Sequence, residues 1–217
     1  MAENAPVDHL VVVLLLAPVA YLLGTFPSAA LVARRAGRDV MAEGSGNPVA
    51  SNIVRLMGWK AGAVVFALDA LKGALAAGVG LAIDGHTGAY ILGIAAILGH
   101  MWPVTRRFKG GRGVATGAGV LVVIFPVITV LAIVVWLAVA RLTHKASVAS
   151  LVVTVGIPIS VALAGHSWSD IVVISAMALV VIARHLSSLR RLVRGEEPDL
   201  DRPGNEPPDV GDERAAS

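Results

Sequence analysis

Three short polar stretches hold most of the side chains in this sequence that could bind a charge or move a proton. Residues 43–60 read EGSGNPVASNIVRLMGWK, residues 106–116 read RRFKGGRGVAT, and residues 183–197 read ARHLSSLRRLVRGEE. In the first, glycines let backbone N–H groups turn toward an anion, as anion-binding nests do. Ser45, Asn47, Ser51 and Asn52 add neutral donors, and Arg55 adds a planar fork suited to phosphate. An ordinary turn and helix cap would use the same Ser, Asn and Gly. In the second, Gly110, Gly111 and Gly113 are interleaved with Lys109 and Arg112. A membrane anchor accounts for Arg106 and Arg107, but anchoring needs charge alone, whereas a phosphate cradle needs charge and exposed N–H groups. In the third, His185 is the side chain best suited to accept a proton near neutral pH, followed by Arg190 and Arg191. A basic helix docked on anionic lipid would carry the same arginines. Taken together, the chemistry is the holding of phosphate beside a group able to deprotonate a hydroxyl.

A membrane bundle has to position these stretches. The chain is 56% hydrophobic and 15% charged, with a mean hydropathy of +0.76, well above the apolar share of a soluble domain. Residues 10–33, 61–83, 88–105, 147–165 and 168–184 are each of spanning length. Residues 10–33 follow no basic segment, so they read as a retained span and not a signal peptide. The run 114–140 has Pro126 near its middle, where a ring without an N–H breaks a helix, and it reads as a hairpin of two spans. Charge supports that count, because Lys and Arg collect in cytoplasmic loops. With seven spans and the N-terminus outside, the outer segments hold Glu3, Asp8, Asp84 and Asp170 and no basic residue. A single span over 114–140 would place Arg141 and Lys145 outside. The expected fold is therefore an all-α integral membrane protein, a compact bundle of about seven transmembrane helices, with the C-terminus cytoplasmic. That topology brings the three polar stretches to one face.

Residues 1–194 form the transmembrane domain in this reading, and 195–217 a disordered acidic tail. Eight of the fifteen acids but only two of the eighteen Lys and Arg lie from Gly195 onward, in a segment too polar to bury a core. The absence of cysteine removes disulfides, a thiolate nucleophile and thiolate metal sites. Inside the spans, Asp69 and Lys72 share a helix face and can pair, for function or for structure. Ser147 and Ser150 open the sixth span, where small hydroxyl residues pack helices. His86, His144 and His166 lack metal-ligand spacing.

The segments GSGNPVASNIVR, GHMWPVTRRFKGGRGVAT and ARHLSSLRRLVRGEE, with LDALKG and KASVAS between them, resemble the bacterial acyl-phosphate:glycerol 3-phosphate acyltransferase family over residues 10–197. The resemblance implies a seven-span enzyme of the bacterial cell membrane with its motifs on the cytoplasmic face. It implies a fatty acyl phosphate as donor, the 1-hydroxyl of glycerol 3-phosphate as acceptor, and lysophosphatidic acid and phosphate as products. Carried over by position, Ser45, Asn47, Lys109, Ser147 and His185 take catalytic roles. Gly46, Asn52, Arg55, Lys60, Gly110, Gly111, Arg112, Gly113, Ser188 and Arg191 join Ser45 and Lys109 in binding substrate and phosphate. Three positions depart from the family pattern: Val49 stands where glycine is usual, Ser51 where threonine is, and Ser188 where asparagine is. The shorter Ser188 calls for a bridging water, or for a contact from Asn47 or Asn52.

An acyl phosphate is a mixed anhydride, already activated, so no covalent nucleophile is needed. The reaction asks for neighbouring anion sites, a base for the acceptor hydroxyl, and donors toward the developing oxyanion. No metal, soluble cofactor or nucleic-acid partner is expected, and a monomer suffices. The alternative is a transporter or channel for a phosphorylated solute. Such carriers commonly show internal repeats and polar groups at the midplane; here no repeat is found and the cations gather at one face.

Overall fold

The computed structural model describes residues 8–200. Backbone in lipid must satisfy its own hydrogen bonds, and the described residues form helices and no strand. In chain order these are α1 (His9–Gly24), α2 (Ser28–Arg35), α3 (Ala50–Met101), α4 (Val114–Ile124), α5 (Pro126–Thr143), α6 (Ala146–Leu163), α7 (Trp168–Arg184) and α8 (Leu186–Val193). A 3-10 turn, Val104–Arg106, lies between α3 and α4.

The long α3 is not one rod. Its backbone leaves helical geometry at Gly58 and again at Asp84 and Gly85. The chain reverses at the second break, because Gly80 and Gly88 face each other so closely that a Cβ on Gly80 would lie 2.1 Å from the Gly88 carbonyl oxygen. α3 therefore supplies two antiparallel passes, which stand beside α1, α4, α5, α6 and α7. Four helical stretches among the described residues are long and apolar enough to cross a membrane by themselves.

The expected organisation needs three adjustments. The first ends at Gly24, and after Pro27 the chain continues as α2, a separate short helix ending in Arg34 and Arg35. The 114–140 run does break beside Pro126, which takes the first position of α5, where a missing N–H costs nothing. However, α4 has only 11 residues; its length of about 16 Å covers roughly half of the bilayer core. Finally, the segment from Gly195 begins as packed chain: Glu197 is 3% and Leu200 1% exposed. The rest of the expected tail, 201–217, lies outside the described residues.

All three polar stretches meet at one end of the bundle. There the Tyr21 hydroxyl donates to the Trp102 carbonyl at 2.6 Å, Arg184 reaches the glycine loop, and the Leu200 N–H donates to His144 at 2.7 Å. At the opposite end the Tyr90 hydroxyl donates to Asp170 at 2.6 Å.

Candidate active site

A cavity of about 400 Å3 opens among α3, α4, α5, α6 and α7. Its wall is mostly aliphatic, from Val54 and Ile97 to Val153 and Met177. Polar groups on it include Asp69, His100, Arg112 and His185. From His185 the lining runs along α7 to Val173, and from Ala146 along α6 to Ile157, which places the far end about 16–18 Å into the bundle. The shape is that of a polar head region continued by a slot for an alkyl chain.

Arg112 and His185 are the expected site residues that line this cavity. Arg112 is 8% exposed. Burial lowers its guanidinium to about 10, with Glu197 opposing that shift, so it stays protonated at neutral pH. The His185 imidazole is 1% exposed. Its Nδ1 lies 2.8 Å from the Val181 carbonyl. A carbonyl only accepts, so Nδ1 carries the proton and Nε2 keeps its lone pair. Burial, offset in part by that hydrogen bond, lowers His185 to about 4, and the ring is neutral at physiological pH.

The glycine loop works differently from the cradle its sequence suggests. A Cβ at Gly111 would come within 2.1 Å of His100 Nε2, and one at Gly110 within 2.2 Å of the His100 carbonyl oxygen. The glycines thus let the loop lie flat against the end of α3. The Gly111 N–H is used on the His100 carbonyl at 3.0 Å and is not free for phosphate. The Gly110 and Gly111 carbonyls accept from Arg184 at 3.0 Å each, and Arg184 also stacks over Trp102 at 5.2 Å. Gly113, at φ 86°, turns the chain into α4. Val114 and Ala115 in the first turn of α4 line the cavity, where N–H groups lack intrahelical partners. Lys109 is exposed and is not part of the cavity wall.

The first stretch is also put to other uses. From Ala50 onward it is helix, and Asn52 is fully buried. Its amide accepts from the Ser45 N–H at 2.8 Å and donates to the Val40 and Glu43 carbonyls, so it braces the 40–47 loop in place of meeting a ligand. Asn47 donates to the Ser45 carbonyl, and Gly46 adopts φ 66°. The Ser45 hydroxyl is buried without a partner, which leaves it available. Arg55 directs both arms to the Pro198 and Asp199 carbonyls, and Lys60 is exposed beyond the Gly58 break.

The third stretch closes on itself. Arg191 pairs with Glu197 at 2.7 Å and donates to Ser188 at 3.0 Å, so the side chain that meets the shorter Ser188 is Arg191 and not an asparagine of the first loop. Lys145 contacts the Glu197 carbonyl and pairs with Asp199 at 2.7 Å. Burial raises the Glu197 carboxyl, but Arg191, the Ser147 hydroxyl and Arg112 outweigh it and hold the group below the usual range. The buried Ser147 hydroxyl makes no hydrogen bond of ordinary geometry, yet it lies near enough to stabilise that carboxylate.

A family model described as glycerol-3-phosphate acyltransferase matches residues 14–195. The chain belongs to this family. A glycerol-3-phosphate acyltransferase of Thermoanaerobacter pseudethanolicus is 37% identical over 187 residues, covering 86% of this chain and 94% of the relative. One from Sinorhizobium medicae is 39% identical over 178 residues, covering 82% and 87%. Among solved structures, PlsY, an integral membrane glycerol 3-phosphate acyltransferase, matches in its glycerol 3-phosphate form with a TM-score of 0.82 and 34% identity, over 87% of this chain and 95% of that one. Its lysophosphatidic acid form matches with a TM-score of 0.80.

For this acyltransferase, sequence reasoning passed over Arg184, quoted only inside ARHLSSLRRLVRGEE, and His100, quoted only inside GHMWPVTRRFKGGRGVAT. The position of Arg184 directly before His185 is the one available signal. Its bidentate grip on two loop carbonyls matches the guanidinium fork, which an ammonium cannot copy. Arg184→Ala and Arg184→Lys are both expected to lower acyl transfer about tenfold, as loss of a positioning contact does. Initial rates with normal expression check this; full activity in the lysine variant counts against a bidentate role.

Proposed function

We propose that this chain transfers a fatty acyl group from acyl phosphate to the 1-hydroxyl of glycerol 3-phosphate, releasing lysophosphatidic acid and phosphate. The observation that carries the reading is the cavity itself, which joins a buried guanidinium and a neutral imidazole to an apolar slot. Arg112 offers a phosphate its charge in a site shielded from water, where such contacts are strong. The slot takes the alkyl chain, and the unprotonated His185 Nε2 is the base that accepts the hydroxyl proton. Asp69, Tyr90, His100, Arg112 and His185 are the charged or titratable residues of the lining, and nothing in this set requires a covalent acyl-enzyme. The test is purified protein with palmitoyl phosphate and glycerol 3-phosphate: lysophosphatidic acid and phosphate are the expected products, and their absence from well-folded protein refutes the proposal.

The site end of the bundle is proposed to face the cytoplasm. Support comes from its cations, among them Arg34, Arg107, Arg141 and Lys145, against Asp84 and Asp170 at the opposite end. The chain has no cysteine, so single cysteines report cleanly. One at Asp84 is expected to react with an impermeant thiol reagent in intact cells, and one at Lys109 is not. The reverse pattern inverts the topology.

A further inference from the structure

Behind the glycine loop lies a buried polar cluster that the reaction has not yet used. Asp69 and Lys72 pair at 2.8 Å, each 3% exposed at the side chain, and the Ser28 hydroxyl donates to Asp69 at 2.7 Å. Lys72 Nζ also reaches the Phe26 carbonyl at 3.2 Å and His100 Nδ1 at 2.9 Å. His100 is 4% exposed, and its ring forms part of the cavity wall.

These contacts fix a tautomer. An ammonium paired with a carboxylate has only donors to offer. Asp69 Oδ1 stays 3.6 Å from His100 Nδ1, beyond hydrogen-bond reach, so Nδ1 accepts from Lys72, and the proton of the neutral ring sits on Nε2. Among the described residues Nε2 has no hydrogen-bond partner. It is the ring edge against which the Gly111 backbone is pressed, one residue from Arg112. His185 is held the opposite way, with its proton on Nδ1. His100 and His185 thus line one cavity in opposite tautomers, with a proton on Nε2 of the first and a lone pair on Nε2 of the second.

We infer that His100 is a further catalytic residue, whose Nε2–H donates a hydrogen bond to the acyl carbonyl oxygen as it becomes an oxyanion. The inference rests on the acyl-transfer reading above. In the step, the 1-hydroxyl oxygen of the acceptor bonds to the carbonyl carbon while its proton passes to a base, His185 Nε2 or a phosphate oxygen. The carbonyl electron pair moves onto oxygen, where His100 meets it. Collapse re-forms the carbonyl, breaks the bond from the acyl carbon to the phosphate oxygen, and releases phosphate with that electron pair. A neutral imidazole serves such a role well, because it donates without first having to lose or gain a proton.

The test uses the full-length enzyme with palmitoyl phosphate and glycerol 3-phosphate. His100→Phe is expected to lower kcat about a hundredfold, as loss of one oxyanion donor does, with the KM values within a few-fold of the parent. His100→Gln, which sets an amide N–H near the Nε2 position, should recover at least tenfold over His100→Phe, while His100→Asn should not. Nitrogen NMR of the histidine-labelled parent should show the His100 ring neutral with its proton on Nε2. A loss confined to KM for glycerol 3-phosphate would assign His100 to loop support and overturn the inference. So would an Nδ1–H tautomer, equal rates in the Gln and Asn variants, near-parental kcat in His100→Phe, or failure of all three variants to fold. A parent enzyme that forms no lysophosphatidic acid would instead refute the acyl-transfer reading itself.

Discussion

Replacing Arg112 with alanine is expected to lower kcat/KM for acyl transfer about a thousandfold, the upper range for loss of one charged stabiliser in a water-excluded site. Arg112 is the cation on the cavity wall among the described residues, and it is 8% exposed. Its neighbours cannot stand in for it. Arg55 is turned onto the Pro198 and Asp199 carbonyls, Arg191 onto Glu197 and Ser188, and Arg184 onto the glycine loop. Glu197 would also lose one of the charges that hold it ionised. Arg112→Lys should recover part of the rate, since it restores charge without the fork. Lys109→Ala, although it alters the same motif, is expected to cost less than about tenfold, because an exposed cation acts through screened solvent. Initial rates for the three variants, with thermal unfolding as the control for folding, decide the matter. Equal losses at positions 109 and 112 would mean that the loop turns both cations inward during turnover.

That contrast marks where reading the sequence stops. The helical passes were legible, because lipid forces every apolar run into a helix, and because Pro126 and the cation-free segments around Asp84 and Asp170 leave few ways to thread them. The convergence of the three stretches followed from the same count. Which of two basic residues three apart faces the cavity was not legible. It depends on Arg107 and Phe108 adopting left-handed backbone and on the glycines lying against His100, neither of which a motif records. Asn52 looked like a ligand donor because its type suits both roles; only the placement of Val40 and Glu43 reveals that its amide is already engaged. Glu197 and Leu200 were assigned to an acidic tail by composition. The fold instead brings Lys145 to Asp199 and Arg55 to the Pro198 carbonyl in that segment, and such pairing across more than fifty residues leaves no local trace in the sequence.

His185→Gln is expected to lower kcat about a thousandfold, within the range for removal of a general base, and also to change how stability depends on pH. The two effects have one cause. The buried ring donates from Nδ1 to Val181 and keeps Nε2 unprotonated, with its pKa lowered from 6.5 to about 4 by burial. Between those values the unfolded chain binds a proton at this histidine and the folded chain does not. Stability therefore rises with pH across that window and is lost as pH falls from 6.5 toward 4. The full shift corresponds to roughly 3 kcal/mol. Glutamine has no titrating group there, so His185→Gln should lack this component while keeping the contributions of every other residue. Unfolding midpoints of parent and variant in detergent, measured from pH 7.5 to 4, isolate the difference. The gap between them at pH 7.5 should narrow on acidification, and glycerol 3-phosphate is left out so that its own phosphate does not titrate in the measurement. A gap that instead widens as pH falls from 7.5 toward 6.5 would mean that the ring is already protonated when folded. In that case it would act as a fixed cation beside Arg112, and the proton of the acceptor hydroxyl would have to leave to a phosphate oxygen of the substrate.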